Sequence, residues 1–149
     1  MDITSANAKF SILVPGVFPT PYLLQQFATD DAWASEEVDV AQVVIGVDGA
    51  MSAGSVPYLI PQDIIFQADS ASISGFMEPW RAANAAAVAQ GATQNFASAG
   101  TLTIPAIGLT YALTKGVLLR ITPFPQGRKI LQPVRYRITW NGYQALPIA

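Results

Sequence analysis

The stretch from 132 to 140 alternates between two kinds of side chain and is the clearest strand in the sequence. Successive side chains of a β-strand point to opposite faces of its sheet. One face carries Val134, Tyr136, Ile138 and Trp140, and the other carries Arg135, Arg137 and Thr139. The aromatic and β-branched residues suit a half-buried strand. The two arginines need water, an acidic neighbour in the same fold, or another molecule as their partner.

The composition favours a subunit whose surface is largely covered by other chains. With 149 residues the chain can form one domain with a hydrophobic core, and we predict a single domain over residues 1–149. Only 12% of the residues are charged, which is about half of the usual share, and 51% are hydrophobic. Interface cores are depleted in charge. A stable assembly explains this composition, and a compact domain with an uncharged polar surface is the alternative.

Two long uncharged stretches, 10–29 and 82–114, are poor candidates for membrane spans. The first contains Pro15, Pro19 and Pro21, which a spanning helix rarely holds together. The second contains several Asn, Gln and Thr side chains, which make it too polar for the bilayer core. We therefore expect no membrane association.

Charge is distributed unevenly along the chain. All ten acids precede Arg81, and seven of the eight bases lie at or after it. The first 80 residues carry ten acids and Lys9, so their net charge is −9, and the remainder carries +7. The two halves could pair inside one chain, or an acidic surface of one copy could meet a basic surface of the next in a head-to-tail contact. Both explanations are open at this point.

The remaining pattern consists of short strands and one alanine-rich helix. We predict strands at 8–14, 22–28, 40–47, 56–68, 101–104, 110–114, 116–122 and 132–140, and a helix at 72–90. The continuous apolar run at 40–47 indicates a buried strand. These elements predict a mainly β fold, an antiparallel β-sandwich or barrel with a single mid-chain helix packed on it.

The helix has recognisable ends and one apolar stripe. Pro79 is expected in its first turn, and Gly91 is expected to end it. Phe76, Met77 and Trp80 are spaced to share one face, continued by the smaller residues Ala83, Ala87 and Val88. We expect this stripe to face the core of the protein.

Two segments are predicted to be exposed loops. Residues 29–39 place five acids around Trp33 and read as an acidic loop. Asp48 and Gly49 suit a tight hairpin turn, but the six residues that follow are weakly patterned. We therefore predict a longer loop over 47–57, mobile in the free subunit because it buries little apolar surface.

Catalytic and cofactor chemistry has little support in the sequence. The chain contains neither histidine nor cysteine, which removes the commonest general base and the usual zinc ligands. It also lacks a nucleophile elbow, a P-loop and a dinucleotide fingerprint. The adjacent acid pairs at 30–31 and 36–37 are typical of solvated charge. We expect neither an enzyme nor a bound cofactor or metal.

Nucleic-acid recognition is also disfavoured. Arg128, Lys129, Arg135 and Arg137 form a late basic cluster, but the nearby aromatic residues lie on the opposite face of the predicted strand. Bases could therefore not stack beside these cations on a regular strand. The low isoelectric point of about 4.8 points the same way.

Four segments, in their order and spacing, carry a resemblance to a known family. FATDD at 27–31 leads into the acidic segment, and VDGAMSAG at 47–54 follows the apolar run. QADSAS at 67–72 directly precedes the helix at 74–90, and KILQPVRYRITW at 129–140 closes the strand-rich half. The chain resembles the tail tube (major tail) proteins of tailed bacteriophages, whose relatives include type VI secretion tube proteins and baseplate hub rings.

The resemblance implies a structural virion protein that forms stacked hexameric rings. The hollow tube would surround a tape-measure protein, meet tail terminator and baseplate or distal tail proteins at its ends, and deliver DNA without binding it specifically. Assembly would take place in the cytoplasm of the bacterial host. The contacts between subunits are expected to include the following residues: Asp30, Asp31, Trp33, Glu36, Glu37, Asp39, Val47, Asp48, Gly49, Met51, Arg128, Lys129, Arg135 and Arg137.

Two other functions are compatible with the sequence. A ring that terminates or completes a tail would assemble once and would not stack. A monomeric β-sandwich binding module would instead recognise a carbohydrate or protein through loops that carry Trp33 and Met51.

Overall fold

The computed structural model describes residues 8–25, 27, 33–91 and 96–147, and its largest element is an antiparallel sheet of seven strands. Its strands are β1 (Lys9–Leu13), β2 (Tyr22–Leu23), β3 (Trp33–Ser35), β6 (Ile60–Phe66), β7 (Ser98–Ile104), β8 (Leu109–Ile121) and β9 (Val134–Pro147). Their order in the sheet is β2-β1-β7-β8-β9-β6-β3. Two further strands, β4 (Ala41–Ile45) and β5 (Met51–Ser55), form a separate two-stranded sheet. The mainly β, antiparallel fold with one helix is confirmed.

Residues 134–140 of the strand predicted at 132–140 form the first half of β9, which begins two residues later than predicted and continues to Pro147. It is paired on both sides, with β6 and with β8. The four side chains that were expected on the buried face are at most 1% exposed; they are Val134, Tyr136, Ile138 and Trp140. The alternation therefore identified the buried face of this strand correctly.

The helix also agrees with the prediction in most respects. It begins with a π-helical turn (Ile73–Met77) and continues as α1 (Glu78–Ala89), with Pro79 at the start of α1. Gly91 adopts a positive φ of 92° directly after the helix, a conformation that glycine adopts without strain. Phe76, Met77 and Trp80 are fully buried against the sheet. Val88 is exposed, so its predicted place on the core face is wrong; it lies in the last turn of α1.

Two glycines make room for Trp140 in the core. A Cβ atom at Gly116 would lie 2.5 Å from the indole ring, and one at Gly100 would lie 2.8 Å from it. The indole Nε1 of Trp140 donates a hydrogen bond of 2.8 Å to Oε1 of Gln62, which satisfies both buried polar groups. Trp140 therefore packs directly over the backbone of β7 and β8.

The segment 109–121 is one strand, not two. The predicted division into strands at 110–114 and 116–122, with a turn at Lys115 and Gly116, is wrong, since β8 runs through it and stays paired with β9. Lys115 has a positive φ of 53°, and the register between β7 and β8 shifts at this point. A local bulge, which bends a strand without ending it, replaces the turn.

Two predictions for the segment between residues 22 and 39 need correction. Among the described residues of the segment predicted as a strand at 22–28, only Tyr22–Leu23 belong to a strand, β2, while 26 and 28 lie outside the described residues. Part of the predicted acidic loop is strand β3, which pairs with β6. Trp33 in β3 is partly buried and contacts Phe27 edge to face, with ring centroids 5.6 Å apart, so it serves as a local anchor.

The apolar run at 40–47 forms β4 but is exposed along its whole length, so its predicted burial is wrong. The weakly patterned segment after it is strand β5 and not a loop. The tight turn at Asp48 and Gly49 is confirmed, because it joins the two strands. The mobility of 47–57 stays a prediction.

Candidate assembly surface

The most prominent feature of the surface is the β-hairpin of residues 41–55, formed by β4 and β5. The two strands pair in regular antiparallel register from Ala41 opposite Ser55 to Ile45 opposite Met51. At the base of the hairpin, the amide of Val56 donates a hydrogen bond of 3.1 Å to the carbonyl of Val40. Among the strands that the structure describes, none of the seven-stranded sheet pairs with the hairpin.

The turn of the hairpin is held by its own backbone and by one carboxylate. The amide of Gly49 donates to the carbonyl of Gly46 (2.9 Å), and the amide of Gly46 donates to the carbonyl of Ala50 (2.8 Å). Asp48 Oδ1 accepts a hydrogen bond of 3.0 Å from the amide of Ala50. Gly49 has a φ of 82°, as expected for the last residue of a three-residue hairpin loop. The local sequence therefore specifies the turn without help from the rest of the fold.

The two faces of the hairpin differ in character. The cross-strand pairs Val43–Ala53 and Ile45–Met51 lie on one face, which we call the apolar face of the hairpin. The opposite face carries Gln42, Val44, Ser52 and Gly54. On the apolar face, Ile45 is 76% exposed and Met51 is 71% exposed. An isolated two-stranded hairpin is at best marginally stable in water, so this exposed apolar face is suited to packing against another surface.

A cluster of charged side chains lies on the outer face of the seven-stranded sheet, which is the face opposite the core. Arg137 donates from Nε to Oδ1 of Asp63 (2.8 Å) and from Nη2 to Oδ2 of Asp63 (3.1 Å). The same Nη2 also contacts Oε1 of Glu36 at 2.7 Å. Arg135 approaches Asp63 Oδ2 at 3.6 Å but is mostly exposed. Arg137 therefore has two acidic partners within its own chain.

The hydrogen bonds in this cluster shift the pKa values of Asp63 and Arg137. The hydrogen bonds from Arg137 hold the pKa of Asp63 below its ordinary value, and they outweigh the opposite effect of burial. The charges of Arg137, Arg135 and Arg120 add to this lowering. In turn, hydrogen bonds to Asp63 and then to Glu36 raise the pKa of Arg137 above its ordinary value. Asp63 and Arg137 thus stay ionised as a bidentate pair.

An apolar groove crosses the outer face beside the charged cluster. Pro61 of β6 and Val117 of β8 lie opposite Thr139 of β9, on either side of it. The groove has a volume of about 590 Å³ and is lined by Leu59, Pro61, Lys115, Val117, Leu119, Thr139 and Asn141. Among the described side chains, Thr139 Oγ1 is buried without a hydrogen-bond partner. We call this feature the outer groove.

A second depression lies at the open end of the core. It has a volume of about 390 Å³, and its wall includes Trp33, Glu36, Ile104, Tyr111 and Tyr143. We call it the core mouth. The segment between β8 and β9 forms a third exposed region, in which Arg128 and Lys129 stand next to the exposed apolar residues Ile130 and Leu131.

The structure brings together only some of the residues predicted as contacts. Val47, Asp48, Gly49 and Met51 lie together at the tip of the hairpin, and Glu36 meets Arg137. Glu37 and Asp39 are exposed in the segment that leads from β3 to β4. Arg128 and Lys129 are exposed elsewhere, between β8 and β9. Asp30 and Asp31 lie outside the described residues.

Several residues of the surface escaped the sequence prediction. Asp63 was not among the candidates, although it is the centre of the charged cluster. Asp63 stands in β6 between Gln62 and Ile64, whose side chains are buried. This is a usable signal, because an acid between two inward-facing residues of a strand must point to the opposite, outer face. Val43 and Ile45 were assigned to a buried strand and therefore to the wrong environment.

The described residues contain no group of three or more acidic side chains arranged to hold a metal ion. In the same part of the chain, no helix is long and apolar enough to cross a membrane.

Comparison with solved structures identifies the fold. A chain of the anti-feeding prophage baseplate, 6-fold symmetrised, matches with a TM-score of 0.62 and 10% identity over 99% of this chain and 97% of that one. A chain of the PVC sheath-tube complex, an extracellular contractile injection system in its extended state, matches with a TM-score of 0.62 and 7% identity, covering 94% and 89% of the two chains. A chain of the tube-terminating cap of the anti-feeding prophage matches with a TM-score of 0.61 and 6% identity, covering 99% and 93%. At these identities the likeness establishes a shared fold.

Sequence comparison identifies the family. No curated protein sequence matches the chain. A family model described as tail fiber protein gp32 matches residues 1–144, which is nearly the whole chain. The chain belongs to the tail fiber protein gp32 family and is a structural protein of a phage-like tail.

Proposed function

We propose that this protein is a self-assembling ring subunit of a phage or phage-like tail, and that its hexameric rings stack into the tail tube. The observation that carries the proposal is the apolar face of the hairpin, which is exposed in the single chain. The similar chains come from assemblies described as a 6-fold symmetrised baseplate, a sheath-tube complex and a tube-terminating cap. A single domain without catalytic activity is sufficient for this role.

The hairpin is suited to a repeated contact between copies. Its two strands form a sheet of their own, separate from the seven-stranded sheet. On its apolar face, Ile45 is paired with Met51 and Val43 with Ala53. A head-to-tail contact between unlike surfaces closes into a ring or continues as a stack. The hairpin of each subunit would then be covered by a neighbour, which explains why an apolar strand pair is retained on the surface.

Charge gives the contact its direction. Residues 36–59, which include the hairpin, contain four acids and no base. Residues 115–137 contain six bases and no acid. Arg137 is already paired with Asp63 and Glu36, so the bases that remain for a neighbour include Arg128, Lys129 and Arg135. We propose that Glu37, Asp39 and Asp48, with Asp30 and Asp31, face these bases across the subunit contact.

The remaining partners follow from the proposed position in the tail. The tube would enclose a tape-measure protein, end against terminator and baseplate or distal tail proteins, and conduct DNA without specific contacts. The protein would assemble in the bacterial cytoplasm and remain in the virion.

A tail cap or terminator ring is the second candidate function. The specific observation that favours it is the match to a chain of the tube-terminating cap, whose TM-score is close to those of the other two matches. Such a ring would form by the same contacts within its plane but would not add further rings.

Electron microscopy and sedimentation of the purified protein test the proposal. We expect rings or tubes for the wild type, at a yield that falls with rising salt because the contact is partly electrostatic. The double variant Ile45→Ser with Met51→Ser should remain folded and monomeric. Val44→Ser, on the opposite face of the same hairpin, is the matched control and should still assemble.

The possible outcomes separate the candidates. Stacked tubes support the tube subunit, and single rings that never stack support the cap or terminator. A wild-type protein that stays monomeric at high concentration, in both low and high salt, refutes both and favours the monomeric binding module.

A further inference from the structure

We propose that the apolar face of the hairpin of one copy docks into the outer groove of a second copy. This inference rests on the proposed function, because it identifies the surface that receives the hairpin. The outer groove lies on β6, β8 and β9, and the hairpin extends from the chain just before β6, so one subunit carries both halves of the contact.

The outer groove has the character of an incomplete interface. The inner face of the same strands is buried in the core, yet the outer face also carries a row of apolar side chains. Leu119 of this row is 56% exposed, and Leu59 is exposed to a similar degree. Contiguous exposed apolar side chains that are rimmed by polar groups are typical of protein interaction sites. Lys115 and Asn141 supply that polar rim.

The hydroxyl of Thr139 indicates that a partner docked in the outer groove should bring a hydrogen-bond acceptor. Thr139 Oγ1 is buried and has no hydrogen-bond partner within the described part of the chain, whereas buried polar groups are normally paired. A threonine hydroxyl can donate one hydrogen bond. The outward edge of a two-stranded hairpin presents unpaired backbone carbonyls, so a docked hairpin brings both apolar side chains and an acceptor.

Electrostatics favours the outer groove over the core mouth. Lys115 lines the outer groove, and Asp48 lies at the tip of the hairpin, which belongs to a segment with acids only. The core mouth is apolar as well, but Glu36 lines it and would repel the acidic segment. Of these two apolar depressions, the outer groove is therefore the one that offers the hairpin complementary charge.

Disulfide trapping between single-cysteine variants tests this placement. The chain has no cysteine of its own, so each variant carries one thiol. Variants with Ile45→Cys or Met51→Cys on the hairpin are mixed with a Leu119→Cys variant that carries an affinity tag and are oxidised mildly. We expect a disulfide-linked dimer of tagged and untagged chains, because a disulfide needs Cα atoms within about 7 Å of each other.

Two matched mixtures serve as controls. Val44→Cys lies on the opposite face of the hairpin, and mixed with Leu119→Cys it should give no dimer. Ile45→Cys mixed with Tyr143→Cys, which lines the core mouth, should give none either.

The outcomes distinguish this inference from the proposed function. Rings or tubes in which neither hairpin cysteine links to Leu119→Cys, or in which Ile45→Cys links to Tyr143→Cys, overturn the docking in the outer groove and leave the proposed function standing. A wild-type protein that never assembles, together with the absence of every cross-link, overturns both.

Discussion

The strand pairs β4–β5 and β6–β9 are both regular antiparallel pairs with one apolar face, yet their environments are opposite. In β6–β9 the apolar face lies under the helix, and Ile64, Phe66 and Tyr136 are at most 1% exposed. In β4–β5 the face that carries Ile45 and Met51 is open to solvent. An apolar strand is thus buried only where its own chain provides a facing layer. None of the residues that the structure describes covers the apolar face of the hairpin, and we infer that another subunit supplies this layer.

The largest predicted difference between the two regions concerns one substitution made in each. Ile64→Ala, in the core, should lower the free energy of unfolding of the dilute, unassembled subunit by about 2–5 kcal/mol, because it leaves a cavity. Ile45→Ala, in the hairpin, should change the same quantity by no more than about 0.5 kcal/mol. Urea denaturation followed by tryptophan fluorescence measures both values. Equal losses in the two variants would show that the hairpin is packed within its own subunit.

A second comparison adds a methyl group in each region. Gly116→Ala would place its Cβ 2.5 Å from the ring of Trp140, and we expect it to cost about 1–3 kcal/mol of unfolding free energy through overpacking. Gly54→Ala in the hairpin has no atom within 4 Å of the added carbon and is the matched control, with little expected change. Thermal unfolding of the two variants measures the difference. If Gly116→Ala is as stable as the wild type, the packing of Trp140 against β8 is looser than described.

The sequence predicted correctly those features that depend on local patterns along the chain. The buried face of β9, the aromatic stripe of the helix and the ends of that helix follow from local patterns that the fold does not override. The turn at Asp48 and Gly49 belongs to the same class, because its hydrogen bonds are local.

The environment of the hairpin could not be predicted in this way. A continuous apolar run indicates that a strand needs burial, but it does not say whether the covering surface belongs to the same chain or to another copy. Small residues such as those of β5 carry almost no pattern, so their pairing with β4 is decided by register and not by hydrophobicity.

The charged cluster depends on contacts between distant parts of the chain. Asp63 and Arg137 face each other because β6 and β9 pair in one particular register, and Glu36 joins them from a position 101 residues away from Arg137. Charge asymmetry indicated that early acids and late bases meet. Only the sheet order shows that Arg137 finds its partners inside the subunit.

The smallest predicted effect concerns Asp63 and Arg137, which bind each other within one subunit. It tests whether Arg137 is used inside the subunit or is available to a neighbouring copy. Because Arg137 lowers the pKa of Asp63 below 3.8, the ionised carboxylate stabilises the folded subunit above that value. This contribution should be lost as the pH falls through the lower pKa of the folded state. Asp63→Asn and Arg137→Gln should each flatten the decline in unfolding free energy below about pH 4, and the double variant should add little to either single change. Urea titrations of the unassembled subunit between about pH 2 and pH 6 measure these profiles. Single variants that keep the wild-type profile would show that the pair does not contribute to folding, and Arg137 would then be available to the acids of a neighbouring copy.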